Sequence, residues 1–118
     1  MFMTYVKIGG RQLEASVFGR TMDRDWDGRE SKAITCALTY QEALALFTED
    51  TAWSIVYQEP SYLDENGDTV TPEPVEYDNS AYSVPGPITD NRDGTVTVKM
   101  GKITDGEALA ELMEALNA

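Results

Sequence analysis

The sequence contains no histidine and a single cysteine, Cys36, and these absences exclude much of the common chemistry of enzymes. Histidine is the usual general base and a frequent metal ligand, so Ser-His and Cys-His triads and histidine-containing zinc sites are ruled out. One cysteine cannot form an intramolecular disulfide or an all-thiolate zinc site. Because no motif points to carboxylate or lysine chemistry, we expect a protein that is not an enzyme and carries no cofactor.

Long apolar runs are also missing from the chain. No segment approaches the ~20 consecutive apolar residues that cross a bilayer, so we expect no membrane contact. The opening residues MFMTYVK lack the basic region and apolar run of a secretion signal, which favours a cytoplasmic protein. A length of 118 residues with 42% hydrophobic side chains predicts one globular domain, residues 1–118, that folds without a metal or disulfide.

Basic residues are scarce: nine Lys and Arg stand against 21 Asp and Glu, for a net charge of −12. No Lys or Arg lies between Lys32 and Arg92, although that interval holds eleven carboxylates. Direct binding to nucleic acid is disfavoured, because it relies on clustered Lys and Arg. We expect a protein partner instead, either a basic protein or a second copy of this chain.

Alternating apolar side chains predict the strands of a sheet. The alternating segments cover residues 5–8, 13–17, 34–38, 53–57 and 95–100. Gly9-Gly10 separates the first two segments and Asp93-Gly94 precedes the last, so both positions predict hairpin turns. We therefore expect an α+β fold with an antiparallel, strongly bent sheet of about five or six strands, and a small barrel is an alternative.

Two capping boxes predict helices, because Thr39 and Glu42, and again Thr104 and Glu107, stand three residues apart. The first predicts a short internal helix and the second a C-terminal helix. The apolar positions of the C-terminal helix follow the spacing i, i+3, i+4, i+7, and they are Leu109, Leu112, Met113 and Leu116.

The C-terminal helix needs a cover for its apolar side. Glu107, Glu111 and Glu114 line the opposite side without helical Lys partners, and like charges at this spacing destabilise a helix. We favour packing on one face of the sheet, and packing on another copy of the protein is the alternative.

A proline- and tyrosine-rich acidic excursion is predicted between Glu59 and Pro87, which holds all five prolines. The segment 64–68 is typical of a turn, so residues 62–63 and 69–71 predict a small projecting hairpin. The excursion either binds a partner or packs back across the domain. With Trp26, it supplies our candidate partner-binding residues: Trp26, Tyr62, Tyr77, Tyr82, Asp64, Glu65 and Asp68.

The stretch DRDWDGRE begins as a calcium-binding loop does, with Asp23, Asp25 and Asp27 at alternate positions before a glycine. The twelfth position is Ile34, which cannot ligate a metal, and strand-like segments flank the loop where helices should stand. Divalent cation binding is therefore the least favoured function. Trp26 in this loop either anchors a partner or folds back as a lid over the sheet.

Three stretches of the chain resemble a group of small uncharacterised proteins encoded in phage and prophage genomes of intestinal anaerobes. They are DRDWDGRESKAI, AWSIVYQEPSY and YDNSAYSVPGPITDNRDGTVTVKMGK, and together they span much of residues 20–102. The resemblance implies a phage-type context, which includes incorporation in a virion. We expect a non-enzymatic interaction module, such as a phage structural or assembly accessory protein. The alternative is an acidic mimic of nucleic acid that inhibits a host DNA- or RNA-binding protein.

Overall fold

Nine strands and two helices make up the part of the chain that the computed structural model describes, which is residues 3–49 and 51–117. The strands are β1 (Met3–Ile8), β2 (Arg11–Asp23), β3 (Arg29–Cys36), β4 (Trp53–Gln58), β5 (Tyr62–Leu63), β6 (Thr69–Val70), β7 (Val75–Asp78), β8 (Val84–Asp90) and β9 (Val96–Gly101). The helices are α1 (Tyr40–Leu46) and α2 (Asp105–Asn117), and a single 3₁₀ turn covers Arg24–Trp26.

Seven of the strands form one antiparallel sheet in the order β7-β4-β1-β2-β3-β9-β8. Strands β5 and β6 pair only with each other. The predicted α+β class with an antiparallel sheet and two helices is confirmed. The sheet has seven strands, more than the expected five or six, and it does not close into a barrel.

The predicted hairpins at both ends of the chain are confirmed. Gly9 and Gly10 join β1 to β2 with φ of 58° and 78°, which a glycine adopts without strain. The turn between β8 and β9 also uses left-handed backbone, at Arg92 and Gly94. In both hairpins the register places apolar residues of neighbouring strands on the same face, as between Val6 and Leu13.

The core lies on the concave face of the sheet, where α1 covers it. Thr39 and Glu42 form the predicted capping box at the start of α1, and Ala43 and Phe47 turn inward from this helix. The strands contribute the remaining buried side chains of the cluster, which are Val6, Ile8, Ile34, Cys36, Trp53, Ile55, Val96, Val98 and Met100, and Leu38 joins them from the loop before α1.

The segment that follows β7 connects two strands that are not neighbours in the sheet, β4 and β3. The Asn79 amide donates a hydrogen bond to the Trp53 carbonyl at 2.8 Å, and the Trp53 indole Nε1 donates to the Tyr82 carbonyl at 3.0 Å. At the other end, the Tyr82 hydroxyl donates to Glu30 on β3, and the Lys32 Nζ lies 4.6 Å from the centre of the Tyr82 ring. Tyr82 thus links β4 to β3 across the open side of the sheet.

The sequence analysis missed strand β7 and the start of β8, both of which lie in the predicted excursion. β7 pairs with β4, and β8 begins at Val84. Pro85 and Pro87 fit within β8 because it is an edge strand, where a missing amide donor costs no ladder hydrogen bond. The projecting hairpin around residues 64–68 is confirmed as β5 and β6.

The C-terminal helix forms where it was predicted, with Thr104 and Glu107 exchanging both capping-box hydrogen bonds. Its predicted packing on the sheet is wrong. The apolar side chains of α2 are 54–76% exposed: Leu109, Leu112, Met113 and Leu116. We call these four residues the α2 stripe. The core cluster is completed by side chains of the strands, of α1 and of Tyr82, and no side chain of α2 contributes to it.

One bidentate ion pair ties the first turn of α2 to the sheet. The two terminal nitrogens of Arg29 donate to the Glu107 carboxylate at 2.6 and 3.0 Å, and Arg29 also donates to the Lys102 carbonyl at 2.9 Å. Arg29, together with hydrogen bonds from Thr104, lowers the pKa of Glu107 to about 2. Beyond this contact α2 projects, and the radius of gyration of 17.5 Å exceeds the about 13.5 Å of a compact chain of this length.

Deletion of residues 103–118 should lower the free energy of unfolding by only about 1 kcal/mol, because no side chain of α2 belongs to the core and the loss is limited to the Arg29–Glu107 ion pair. The substitution Ile34→Ala, at a fully buried position, should cost about 2–5 kcal/mol in the same assay. Urea unfolding followed by tryptophan fluorescence measures both. A deletion as costly as Ile34→Ala would contradict the independence of α2 from the core.

Candidate functional site

The aspartate loop is built around an ion pair whose carboxylate is buried. The Asp23 side chain is fully buried and accepts hydrogen bonds from Lys99 Nζ at 2.6 Å, Ser31 Oγ at 2.9 Å and the Asp25 amide at 3.1 Å. The Lys99 ammonium holds the pKa of the Asp23 carboxyl below its ordinary value, against the opposing effect of burial. Asp23 therefore fixes the start of the 3₁₀ turn and joins β2 to β9.

The other two aspartates of this loop point to solvent. Asp25 and Asp27 are exposed, and Asp27 ends the 3₁₀ turn in the left-handed conformation with φ of 56°. Within residues 3–49 and 51–117, no group of three or more His, Cys, Asp or Glu side chains is placed to hold a metal ion. The three alternating aspartates have structural roles instead: Asp23 caps the 3₁₀ turn and pairs with Lys99, and Asp27 ends the turn.

Trp26 folds back over the convex face of the sheet, which is the lid alternative of the sequence analysis. Its ring lies 2.7–2.9 Å from the positions that a Cβ would occupy at Gly86 and Gly101, so only glycine fits there. The Arg29 guanidinium lies 5.0 Å from the centre of the same ring. Trp26 thus packs against β8 and β9, and its half-buried ring is already in contact with its own chain.

Tyr82 is also engaged within the fold. Its ring packs edge-on against Trp53 with centroids 6.5 Å apart. Burial, and after it the neighbouring Glu30 carboxylate, raises the pKa of Tyr82 to about 12, so the hydroxyl stays protonated and donates to Glu30. Tyr82 and Trp26, two of the seven candidate partner-binding residues, therefore lie apart from the other five and serve the sheet.

The remaining candidates of the acidic excursion lie on two separate surfaces. Tyr62 is exposed on β5, and Asp64 in the adjoining turn accepts hydrogen bonds from the Asn66 and Asp68 amides, both at 2.9 Å. Glu65 and Asp68 are exposed in the same turn. Tyr77, by contrast, lies exposed on edge strand β7, where its ring meets that of Tyr57 at 5.7 Å.

The apolar side of α2 was identified from the sequence, but it was expected to pack on the sheet. Its periodicity shows that one side of the helix is apolar, and the same periodicity occurs in helices that pack on a sheet and in helices that bind a partner. Only the three-dimensional structure separates the two cases, because it shows what already covers the sheet.

A second exposed apolar surface, on the distal part of β2, was missed altogether. β2 continues to Asp23, beyond the predicted end at Val17, and residues 18–22 line a shallow hollow of about 490 Å³. We call these residues the β2 strip. Phe18 and Met22 are 65% and 68% exposed, and the Arg20 guanidinium lies 5.6 Å from the Phe18 ring. The stretch FGRTM lacks regular apolar alternation, which is the signal that could have revealed a strand here.

Comparisons of the chain with protein-family models, with curated proteins and with solved structures found no match. In the part of the chain that the structure describes, no helix has the length and apolar character needed to span a membrane. The exposed surfaces of α2 and of the distal part of β2 are therefore the features that bear on function.

The substitution Asp23→Asn should lower stability at neutral pH and flatten its dependence on acid. The pKa of Asp23 is depressed in the folded state, so its contribution is present above the ordinary value of 3.8 and is lost as the pH falls through the lower folded value. Thermal unfolding from pH 7 to pH 2 measures this. Asp25→Asn, an exposed change in the same loop, is the control. An equal acid dependence in Asp23→Asn and the intact protein would contradict the role of the ion pair.

Proposed function

We propose that the protein is a non-enzymatic protein-interaction module whose main contact element is the projecting helix α2. The observation that carries this proposal is the exposure of the α2 stripe, since four large apolar side chains on one side of a helix are 54–76% exposed. Contiguous exposed apolar surface on an otherwise acidic protein is typical of an interaction site.

The energetics of α2 support the need for a partner. A helix of 13 residues is marginal in water by itself. Glu107, Glu111 and Glu114 repel one another at i, i+3 and i+4, and Glu114 lies toward the C-terminal end, where the helix dipole disfavours negative charge. Cover for the α2 stripe would add burial free energy of about 25 cal/mol per Å² of apolar surface, which offsets these costs.

The mode of recognition that fits α2 is a helix in a groove, with anchors at the i, i+3, i+4 and i+7 positions. Glu111 and Glu114 lie on the opposite side of α2 and face away from such a groove, so the apolar anchors carry the contact. In a phage-type context, such a contact suits a structural or assembly accessory protein, whose role is to join other proteins.

An acidic mimic of nucleic acid is the second candidate. It would need rows of free carboxylates in the segment without Lys or Arg, between Lys32 and Arg92. Two of those carboxylates are engaged in ion pairs, Glu42 with Arg11 and Glu76 with Lys7, and Asp64 satisfies turn amides. These contacts reduce the charge available for mimicry, so the interaction module is the better-supported proposal.

Capture of partners by the tagged protein from lysate of the cells that produce it tests the proposal. The double substitution Leu109→Ser and Leu116→Ser should abolish capture, because it removes the two ends of the α2 stripe. The matched control is Tyr62→Ser with Leu63→Ser, which removes two exposed apolar side chains from the projecting hairpin and should leave capture intact. Loss of capture in the hairpin control alone would contradict the assignment to α2 and favour the acidic excursion.

A further inference from the structure

An open, mostly apolar hollow of about 580 Å³ lies where β4 meets the edge strand β7. The register sets Tyr57 opposite both Thr4 and Val75, so these side chains share one face of the sheet, and Tyr77 lies two positions further along β7 on that face. We call this surface the tyrosine hollow, and its lining residues are Thr4, Tyr57, Glu59, Glu73, Val75 and Tyr77.

The aromatic wall of the tyrosine hollow leaves ring surface free for a ligand. The rings of Tyr57 and Tyr77 meet edge to face with centroids 5.7 Å apart, and the two residues are 38% and 55% exposed. Three other aromatic rings, those of Phe18, Trp26 and Tyr82, each have a Lys or Arg of the same chain over them. Among the described residues, no Lys or Arg makes this contact with Tyr57 or Tyr77. Because a cation is attracted to the face of an aromatic ring, these two rings can receive one from another molecule.

The charges of the tyrosine hollow favour the same kind of ligand. Its charged lining residues are Glu59 and Glu73, and neither belongs to the ion pairs found within the described chain. The Gln58 side-chain amide donates to the Glu59 carbonyl at 3.0 Å and to the Pro72 carbonyl at 2.7 Å, so it ties together the two arms that carry these carboxylates. A proline adjoins each glutamate and restricts its backbone. Two carboxylates are therefore held beside two aromatic rings before any ligand binds.

The edge of β7 determines the form of the ligand. β7 is the last strand at this end of the described sheet, and β4 occupies one of its two edges. An extended segment can add along the other edge, and every second side chain of that segment then lies on the face of Val75 and Tyr77. We propose that an extended basic segment of another protein adds along β7 and places a Lys or Arg side chain in the tyrosine hollow. The aliphatic stem of that side chain packs on the rings, and its charged end reaches the carboxylates.

A second copy of the chain fits this edge poorly. Pairing of β7 with β7 of another copy would bring the carboxylates of Glu73 and Asp78 from both copies onto one short edge, and like charges oppose such pairing. A basic segment is instead attracted to a protein of net charge −12. The tyrosine hollow is lined by residues outside α2, so it is a second contact site that does not depend on the α2 stripe.

Titration of the isotope-labelled protein with a capped peptide, Thr-Val-Arg-Val-Thr, followed by NMR, tests the proposal. The peptide should shift the amide signals of β7 and the ring signals of Tyr57 and Tyr77. The matched peptide carries citrulline in place of arginine, which keeps the shape of the side chain and removes its charge. It should bind at least about tenfold more weakly, which corresponds to about 1.4 kcal/mol.

Variants of the tyrosine hollow locate the contact. The double substitution Glu59→Gln with Glu73→Gln should weaken binding of the arginine peptide about tenfold, because it removes both charges that face the guanidinium. Tyr77→Leu should weaken it about threefold, because it keeps an apolar side chain and removes one ring. The dispersion of the amide spectrum checks that each variant is folded.

Two control variants, both on α2, keep the test specific. Glu111→Gln with Glu114→Gln changes the net charge by the same amount as the substitutions in the tyrosine hollow and should leave binding of the arginine peptide unchanged. Leu109→Ser with Leu116→Ser alters the α2 stripe and should also leave it unchanged. A failure of this site is thereby distinguished from a failure of the role proposed for α2.

Four results would overturn the proposal. Equal affinity for the arginine and citrulline peptides removes the role of the cation. An equal loss of affinity in the glutamine control on α2 reduces the contact to attraction by net charge. Unshifted β7 amides at millimolar arginine peptide remove the site itself. Shifts of β7 amides that follow the concentration of the protein without any peptide make a second copy the occupant.

Discussion

The hydrogen bond from the Trp53 indole to the Tyr82 carbonyl joins the two halves of a bent sheet, and the enclosure of the core depends on it. Around it, the Tyr82 ring packs on Trp53 and its hydroxyl donates to Glu30 on β3, so one residue spans the open side. With α1 over the rest of the concave face, the apolar cluster is covered without any contribution from α2.

The convex face is organised by a second contact, the ion pair between the buried Asp23 and the partly exposed Lys99. A buried carboxylate is tolerated only when its oxygens are paired, and here a lysine, a serine and a backbone amide pair them. Trp26 packs beside this pair, where Gly86 and Gly101 leave room for its ring. The most motif-like stretch of the chain therefore serves the fold, while the surfaces suited to binding, α2 and the distal part of β2, carry no recognisable motif.

Features set by neighbouring residues could be predicted from the sequence, and features set by distant ones could not. Both capping boxes, both hairpin turns and the apolar side of α2 depend on residues within a few positions of each other. The partner of Asp23 lies on β9, and the cover of the Trp26 ring depends on Gly86 and Gly101, so no local pattern reports either contact. Strand β7 was not predicted, because its four residues lie within a proline-rich segment that favours loops over strands.

The central claim is that α2 lies outside the folded core. Hydrogen exchange of individual amides, followed by NMR in dilute samples, tests it most directly, because exchange reports the opening of each element separately. We predict that α2 amides exchange far faster than those of β3 and β9. Protection of α2 equal to that of β3 and β9 in the most dilute sample would contradict it.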